Sequence, residues 1–177
     1  SKSGNYLHKK FSKIDGSFDS PVDVKIEDQV MCPAFASRYI KSVKNCESPD
    51  WLKSKLKSIG LRPISALVDI TNYVMYDQNR PLHVYDADKI NKNIIVRSAK
   101  DKETLRALDE KEYALSKGMC VIADDVSPLG LGGIMGGEST GCSENTTNVL
   151  LESALFDPIN TAKTGRKLSI ISDARYR

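Results

Sequence analysis

Three stretches of the chain collect side chains able to act on a polar substrate: Arg62 to His83, the run Pro128-Leu-Gly-Leu-Gly-Gly-Ile-Met-Gly-Gly137 followed by Glu138, and Glu152 to Ala174. Glu152 is the most informative. It interrupts the apolar run Val149-Leu-Leu-Glu-Ser-Ala-Leu-Phe156, a segment expected to be mostly buried. A buried carboxylate needs partners. Glu152 either pairs with an internal arginine such as Arg62 or faces a cavity and accepts a hydrogen bond from a substrate hydroxyl, and residue type alone leaves both open. His83 follows Pro81 and Leu82 in what reads as a loop, where an imidazole can bond a ligand hydroxyl, handle a proton near neutral pH, or simply tie the loop to backbone.

The run 128–137 holds five glycines in ten residues, which calls for a sharply bent or closely approached backbone. It lacks the Lys-Ser/Thr ending of a phosphate loop and the spacing of a dinucleotide fingerprint. Two uses remain: backbone N–H groups brought close to a ligand carbonyl or oxyanion, or a glycine-rich turn between strands. No Ser-His-Asp or Cys-His arrangement is defensible. Cys32, Cys46, Cys120 and Cys142 lack the paired spacing of zinc ligands, and two histidines do not repair that, so reduced structural thiols and no metal site are expected.

The elements that must position these residues are short. Residues 1–30 read as a linker or edge segment, with alternation only around Val22, Val24 and Ile26. Phe35 to Val43 suggests a strand. Ser48, Pro49 and Asp50 open a helix as N-cap, first-turn proline and first-turn acid, with Leu52, Leu56 and Ile59 on its buried face and Gly60 closing it. A second helix carries Leu67, Ile70, Val74 and Met75 and ends at Asn79 and Pro81. Strand candidates follow at Ile94 to Val96, Met119 to Ile122 and Val149 to Leu151. The fold class expected is α+β, a sheet-rich compact module with two lobes sharing a core and flanking helices. Its 177 residues, 28% charged and 40% hydrophobic, exclude disordered and fibrous classes. No run of about 18 apolar residues appears, so a cytoplasmic protein without a membrane is expected. The net charge of +3 is too small to argue for nucleic acid. The lysines of the first third (Lys2, Lys9, Lys10, Lys13, Lys41 and Lys57) read as a polynucleotide track or, more commonly for such a pattern, a solvated basic face.

Taken together, Leu61-Arg-Pro-Ile-Ser-Ala-Leu-Val-Asp-Ile-Thr-Asn-Tyr-Val-Met75, Pro81-Leu-His-Val-Tyr-Asp86, Gly133-Ile-Met-Gly-Gly137 and Leu151-Glu-Ser-Ala154 resemble the editing module of the bacterial-type phenylalanyl-tRNA synthetase β subunit. The resemblance runs from about Cys32 to Arg177, so residues 31–177 are expected to form the module, with its closing motif cut at the C-terminal end. It implies a cleft that receives the 3′ end of a misacylated tRNA(Phe) and hydrolyses its tyrosyl ester without a metal. Carried over, Glu152 would recognise the tyrosine hydroxyl, His83 and Asn72 would line the cleft, Arg62 would lie near the nucleotide end, and Gly133 would present backbone to the amino acid. Ser172 and Ala174 match the family's hydroxyl residue, usually threonine, and the small residue two positions later. Gly132 stands where alanine is usual, leaving more room beside Gly133, and Asn79-Arg80 replaces the glycine common before the proline of the histidine segment.

The physics of selection agrees with this implied role. A synthetic pocket shaped for phenylalanine rejects an analogue that adds one hydroxyl by only about a hundredfold, so a second site is needed. A buried acceptor reverses the preference, because phenylalanine leaves it unpaired at a cost of about 1 to 3 kcal/mol. The ester is already activated, so water positioned by Ser172 and His83, with Gly133 N–H on the carbonyl, is expected to suffice. The fragment is expected to need no cofactor. ATP and Mg2+ would belong to the parent synthetase, a heterotetramer whose α subunit and remaining β subunit would be the partners. Two other readings stand beside this one: a non-catalytic tRNA-binding or assembly module, and a free-standing deacylase.

Overall fold

A computed structural model describes residues 11–176. Its two larger sheets meet on one core. The first is five-stranded, in the order β1 (Val24–Ile26), β4 (Ile94–Ser98), β7 (Cys120–Ala123), β8 (Pro128–Leu131), β9 (Met135–Gly136). The second places β10 (Val149–Leu155) between β2 (Ala34–Ile40) and β3 (His83–Asp86), all antiparallel. A hairpin of β5 (Thr104–Arg106) and β6 (Glu112–Ala114) completes the strands.

β7 shows why the layers form. All four of its residues are buried, and alternate side chains enter different clusters. Cys120 and Ile122 join Tyr85, Leu150, Ile94 and Val96 in the core shared by the two sheets, while Val121 and Ala123 join Leu105, Leu115 and Met119 beneath the hairpin. A strand covered on both faces reads as a continuous apolar run, and this one does. β1 pairs in parallel with β4 at the sheet edge, and Val22 just before it is buried.

Among the described residues three α-helices flank the sheets: α1 (Asp50–Ser58), α2 (Ala66–Gln78) and α3 (Pro158–Lys167). Leu52 and Leu56, one turn apart on α1, are each 1% exposed, and this burial holds a nine-residue helix too short to persist alone. Gly60 at φ 83 and Asn79 at φ 52 end α1 and α2 in the left-handed conformation.

Several expectations need correction. Ser48 is not the N-cap of α1; Pro49 holds that position without a side-chain bond, and Ser48 Oγ donates instead to the fully buried Asp69 at 2.5 Å. Ile59 and Ile70 are about half exposed rather than on buried faces. His83 is not in a loop but opens β3. The glycine-rich run is not merely a turn; it makes β8 and β9 with a tight turn between them, and Gly133 takes φ 68 there. Of the basic stretch, Lys2, Lys9 and Lys10 lie outside the described residues, while Lys13, Lys41 and Lys57 are exposed on the surface.

Candidate functional site

Glu152 lies on the core-facing row of β10, between Leu150 and Ala154, because strand residues two apart share a face. In the ladder it sits opposite Ser37 of β2 on one side and His83 of β3 on the other. The period of two on β3 then brings His83 and Tyr85 to the same side, with ring centroids 4.4 Å apart, edge to face. The Tyr85 hydroxyl donates to Glu152 Oε2 in a short bond, and both residues are buried.

These residues form one wall of a cleft of about 480 Å³, a size suited to a small organic group. Asn72 and Met75 of α2 and the loop Arg80 to Leu82 line another side, Gly133 and Gly136 the floor, and Ser172 to Arg175 the closing segment. Gly136 cannot be another residue without rearrangement: a Cβ there would fall 2.2 Å from His83 Cε1. The closing segment is tied down by Tyr76, whose hydroxyl donates to Asp173 at 2.7 Å, and by Arg175, whose Nη1 donates to Ile170 O at 2.7 Å across Gly165.

Three polar groups face this space uncommitted. His83 Nε2 and Ser172 Oγ are buried with no hydrogen-bond partner among the described residues. Gly132 and Ile134 donate their N–H groups inward, to Cys120 O and Leu131 O, whereas Gly133 between them has no acceptor among the described residues. A native fold leaves few buried polar groups unpaired, and the two side-chain atoms beside one cleft, with the Gly133 N–H near them, point to a ligand that satisfies them.

The electrostatics are those of a dry pocket. Burial pushes the Glu152 carboxyl up to about 7, against the opposing pull of the Tyr85 hydrogen bond. Burial also holds His83 down to about 4, so the imidazole is neutral at physiological pH. Burial, then the Glu152 charge, raises the Cys32 thiol to about 11; burial, then Cys32, raises Cys120 to about 12; neither is a thiolate. Among the described residues no group of His, Cys, Asp and Glu is placed to hold a metal ion.

The cleft therefore gathers Glu152, His83, Asn72, Gly133, Ser172 and Ala174 from positions far apart in the chain. Two expected residues fall outside its lining. Arg62 is exposed and does not pair with Glu152, whose partner is Tyr85. Gly132 is buried beneath the floor, and no extra room exists beside it: a Cβ there would lie 2.9 Å from both Cys120 Sγ and the Phe156 ring. Sequence reasoning passed over Tyr85, Gly136 and Phe156. The alternation His83-Val-Tyr85 was the available signal for Tyr85, once a strand is granted there.

Comparison with known proteins follows the same geometry. Residues 31–177 match the B3/4 domain family. The phenylalanine-tRNA ligase beta subunit of Rhodopseudomonas palustris is 56% identical over 174 residues, 98% of this chain and 22% of that protein, and the one of Mesorhizobium japonicum is 59% identical over 165 residues, 93% and 21%. The chain thus spans about a fifth of the length of the curated relatives it matches. An N-terminal fragment of the phenylalanyl-tRNA synthetase beta subunit from Pyrococcus horikoshii superposes with a TM-score of 0.56 at 14% identity, covering 78% of this chain and 44% of that one, a likeness of fold alone. No described helix is long and apolar enough to cross a membrane. With its mixed α+β architecture and its match over residues 31–177, the chain belongs to the B3/4 domain family and is related to the bacterial phenylalanine-tRNA ligase beta subunit.

Proposed function

We propose that this cleft edits the product of a phenylalanine-tRNA ligase, hydrolysing the ester that joins tyrosine to tRNA(Phe). The observation that carries the reading is Glu152: a buried acid on the wall of a cleft that also holds His83 Nε2, Ser172 Oγ and Gly133 N–H without partners among the described residues. The tyrosine hydroxyl would reach the carboxylate. The ester carbonyl would accept from Gly133 N–H, and a water held by Ser172 Oγ and His83 Nε2 would attack the carbonyl carbon. Its oxygen bonds to that carbon, the bond to the ribose oxygen breaks, and a proton passes to the ribose, with a terminal tRNA hydroxyl assisting. Neutral His83 serves here by holding water in place rather than by carrying charge.

In this reading residues 31–177 are the editing module and residues 1–30 lead into it. The tRNA 3′ end, the α subunit and the rest of the β subunit are its partners, ATP and Mg2+ serve the synthetic site of the parent enzyme, and the setting is the cytoplasm. The test compares hydrolysis of Tyr-tRNA(Phe) and Phe-tRNA(Phe) by the parent enzyme and its Glu152→Ala variant. Loss of the preference for the tyrosyl ester is expected, and an unchanged preference would defeat the assignment.

A further inference from the structure

Glu152 is already engaged before any ligand arrives. Tyr85, 1% exposed, packs in the shared core, and its hydroxyl bonds one carboxylate oxygen, Oε2. The other oxygen, Oε1, has no hydrogen-bond partner among the described residues, and Glu152 lines the cleft. A glutamate side chain in a cavity has three rotatable bonds and broad freedom at the carboxylate torsion. Here a rigid phenol, fixed by strand β3 and by its edge contact with His83, removes that freedom.

We propose that Tyr85 is a positioning residue for hydroxyl selection: it holds Glu152 Oε2 so that Oε1 alone is presented to the phenolic hydroxyl of a bound aminoacyl ester. The inference rests on the editing reading above. It assigns selectivity to a pair rather than to one acid, and it alters the cost of admitting phenylalanine. A phenylalanyl ester strips water from one oxygen only, since Tyr85 keeps the other satisfied, so discrimination depends on how firmly Oε1 is aimed. Tyr85 also favours the ionised acceptor, because a donor hydrogen bond stabilises the carboxylate against its burial. The other titratable groups around Glu152 are His83 on β3, Cys32 ahead of β2 and Cys120 on β7; Arg80, Asp173 and Arg175 line the cleft with it. The imidazole and the two thiols are neutral near pH 7, so Tyr85 is the group that tunes the acid directly.

The test uses the parent synthetase with four forms: wild type, Tyr85→Phe, Glu152→Gln and the double variant. Deacylation of Tyr-tRNA(Phe) and Phe-tRNA(Phe) is measured across neutral pH. Tyr85→Phe removes one oxygen and keeps the ring. We expect it to reduce the preference for the tyrosyl ester by about tenfold or more, chiefly through apparent KM, as for loss of a hydrogen bond to a charged group. The pH at which the preference sets in should move upward, by about one unit. In the Glu152→Gln background the same change should do little, because the two act together. That comparison holds even if the single variant is weakened by its uncompensated acid. Three results would overturn the proposal. A Glu152-dependent preference that Tyr85→Phe leaves intact in size and pH profile ends it alone, as does an equal loss from Tyr85→Phe in both backgrounds. A wild type that shows no preference ends the editing reading and this inference with it.

Discussion

Ser172 illustrates how little chemistry a side chain needs when its surroundings are arranged. Its hydroxyl is buried, unpaired and next to the cleft, which costs about 1 kcal/mol or more and is repaid only by a ligand or water. Ser172→Ala removes the hydroxyl and keeps the Cβ in place. It is expected to slow hydrolysis of the tyrosyl ester by about tenfold to a hundredfold, while Tyr-tRNA(Phe) binding in a filter assay stays near wild type. Normal turnover would refute the water-holding role. His83 differs, since its neutrality follows from burial and its folded pKa of about 4 lies below the ordinary 6.5. A group depressed in this way supports stability above 6.5 and withdraws that support as pH falls toward 4. His83→Gln should therefore flatten the acid limb of a thermal unfolding profile between those values, read by circular dichroism. That Glu152 and His83 would line one cleft was open to reading from residue type and resemblance. The partner of Glu152 was not, since Tyr85 comes within reach only once the register sets Glu152 opposite His83, two residues before Tyr85 on the same face of β3.

The strands and turns set the tolerances of the site. β9 passes so close to His83 that only glycine fits at 136. Gly136→Ala must push the imidazole aside, because its new methyl would meet ring atoms at 2.2 to 3.0 Å. The expected outcome is a folded protein, destabilised by about 1 to 3 kcal/mol, with hydrolysis strongly impaired. A variant with wild-type hydrolysis would mean that His83 is dispensable. Away from the cleft, β4 is tied to the turn before β5 by a forked pair, Arg97 Nη1 to Glu103 Oε2 at 2.9 Å and Nη2 to Oε1 at 2.6 Å. The Arg97 hydrogen bonds hold the Glu103 carboxyl below its ordinary range. Its contribution is present above that range and is lost as pH falls through the lowered value. Glu103→Gln should cost about 1 to 3 kcal/mol at neutral pH, measured by urea unfolding, and much less in acid. Two of the helices were legible from their apolar spacing and their Gly60 and Asn79 stops, and β7 and β10 from apolar runs, whereas α3, with its polar composition, was not read. β3 was not, because four residues after a proline carry too short a pattern to separate strand from loop.

For the molecule as a whole, Glu152 is a cost that the rest of the fold carries. Its carboxyl titrates near 7 when folded, above the ordinary 4.5, so the folded state favours its protonated form. Stability is full below 4.5 and declines as pH rises through about 7, a loss of about 3 kcal/mol with the Tyr85 hydrogen bond in place. Glu152→Gln is expected to raise the melting temperature at pH above 7 and change it little in mild acid; equal effects at both pH values would argue that burial does not disfavour the charge. Such a cost is the usual mark of a functional site. The amino-acid sequence by itself determined the family and the α+β class, because motif identity and apolar spacing are local properties that survive without coordinates. It also named Glu152, His83, Asn72, Gly133, Ser172 and Ala174, which line the cleft. The tertiary structure alone decided that Tyr85 rather than Arg62 meets Glu152, that Gly132 lies beneath the floor, and that His83, Ser172 and Gly133 face one space without partners. The first of those facts depends on strand register, since a shift of one residue in β10 between β2 and β3 would turn Glu152 to the opposite face, and the others depend on how the β8–β9 turn and the segment after α3 pack against that sheet.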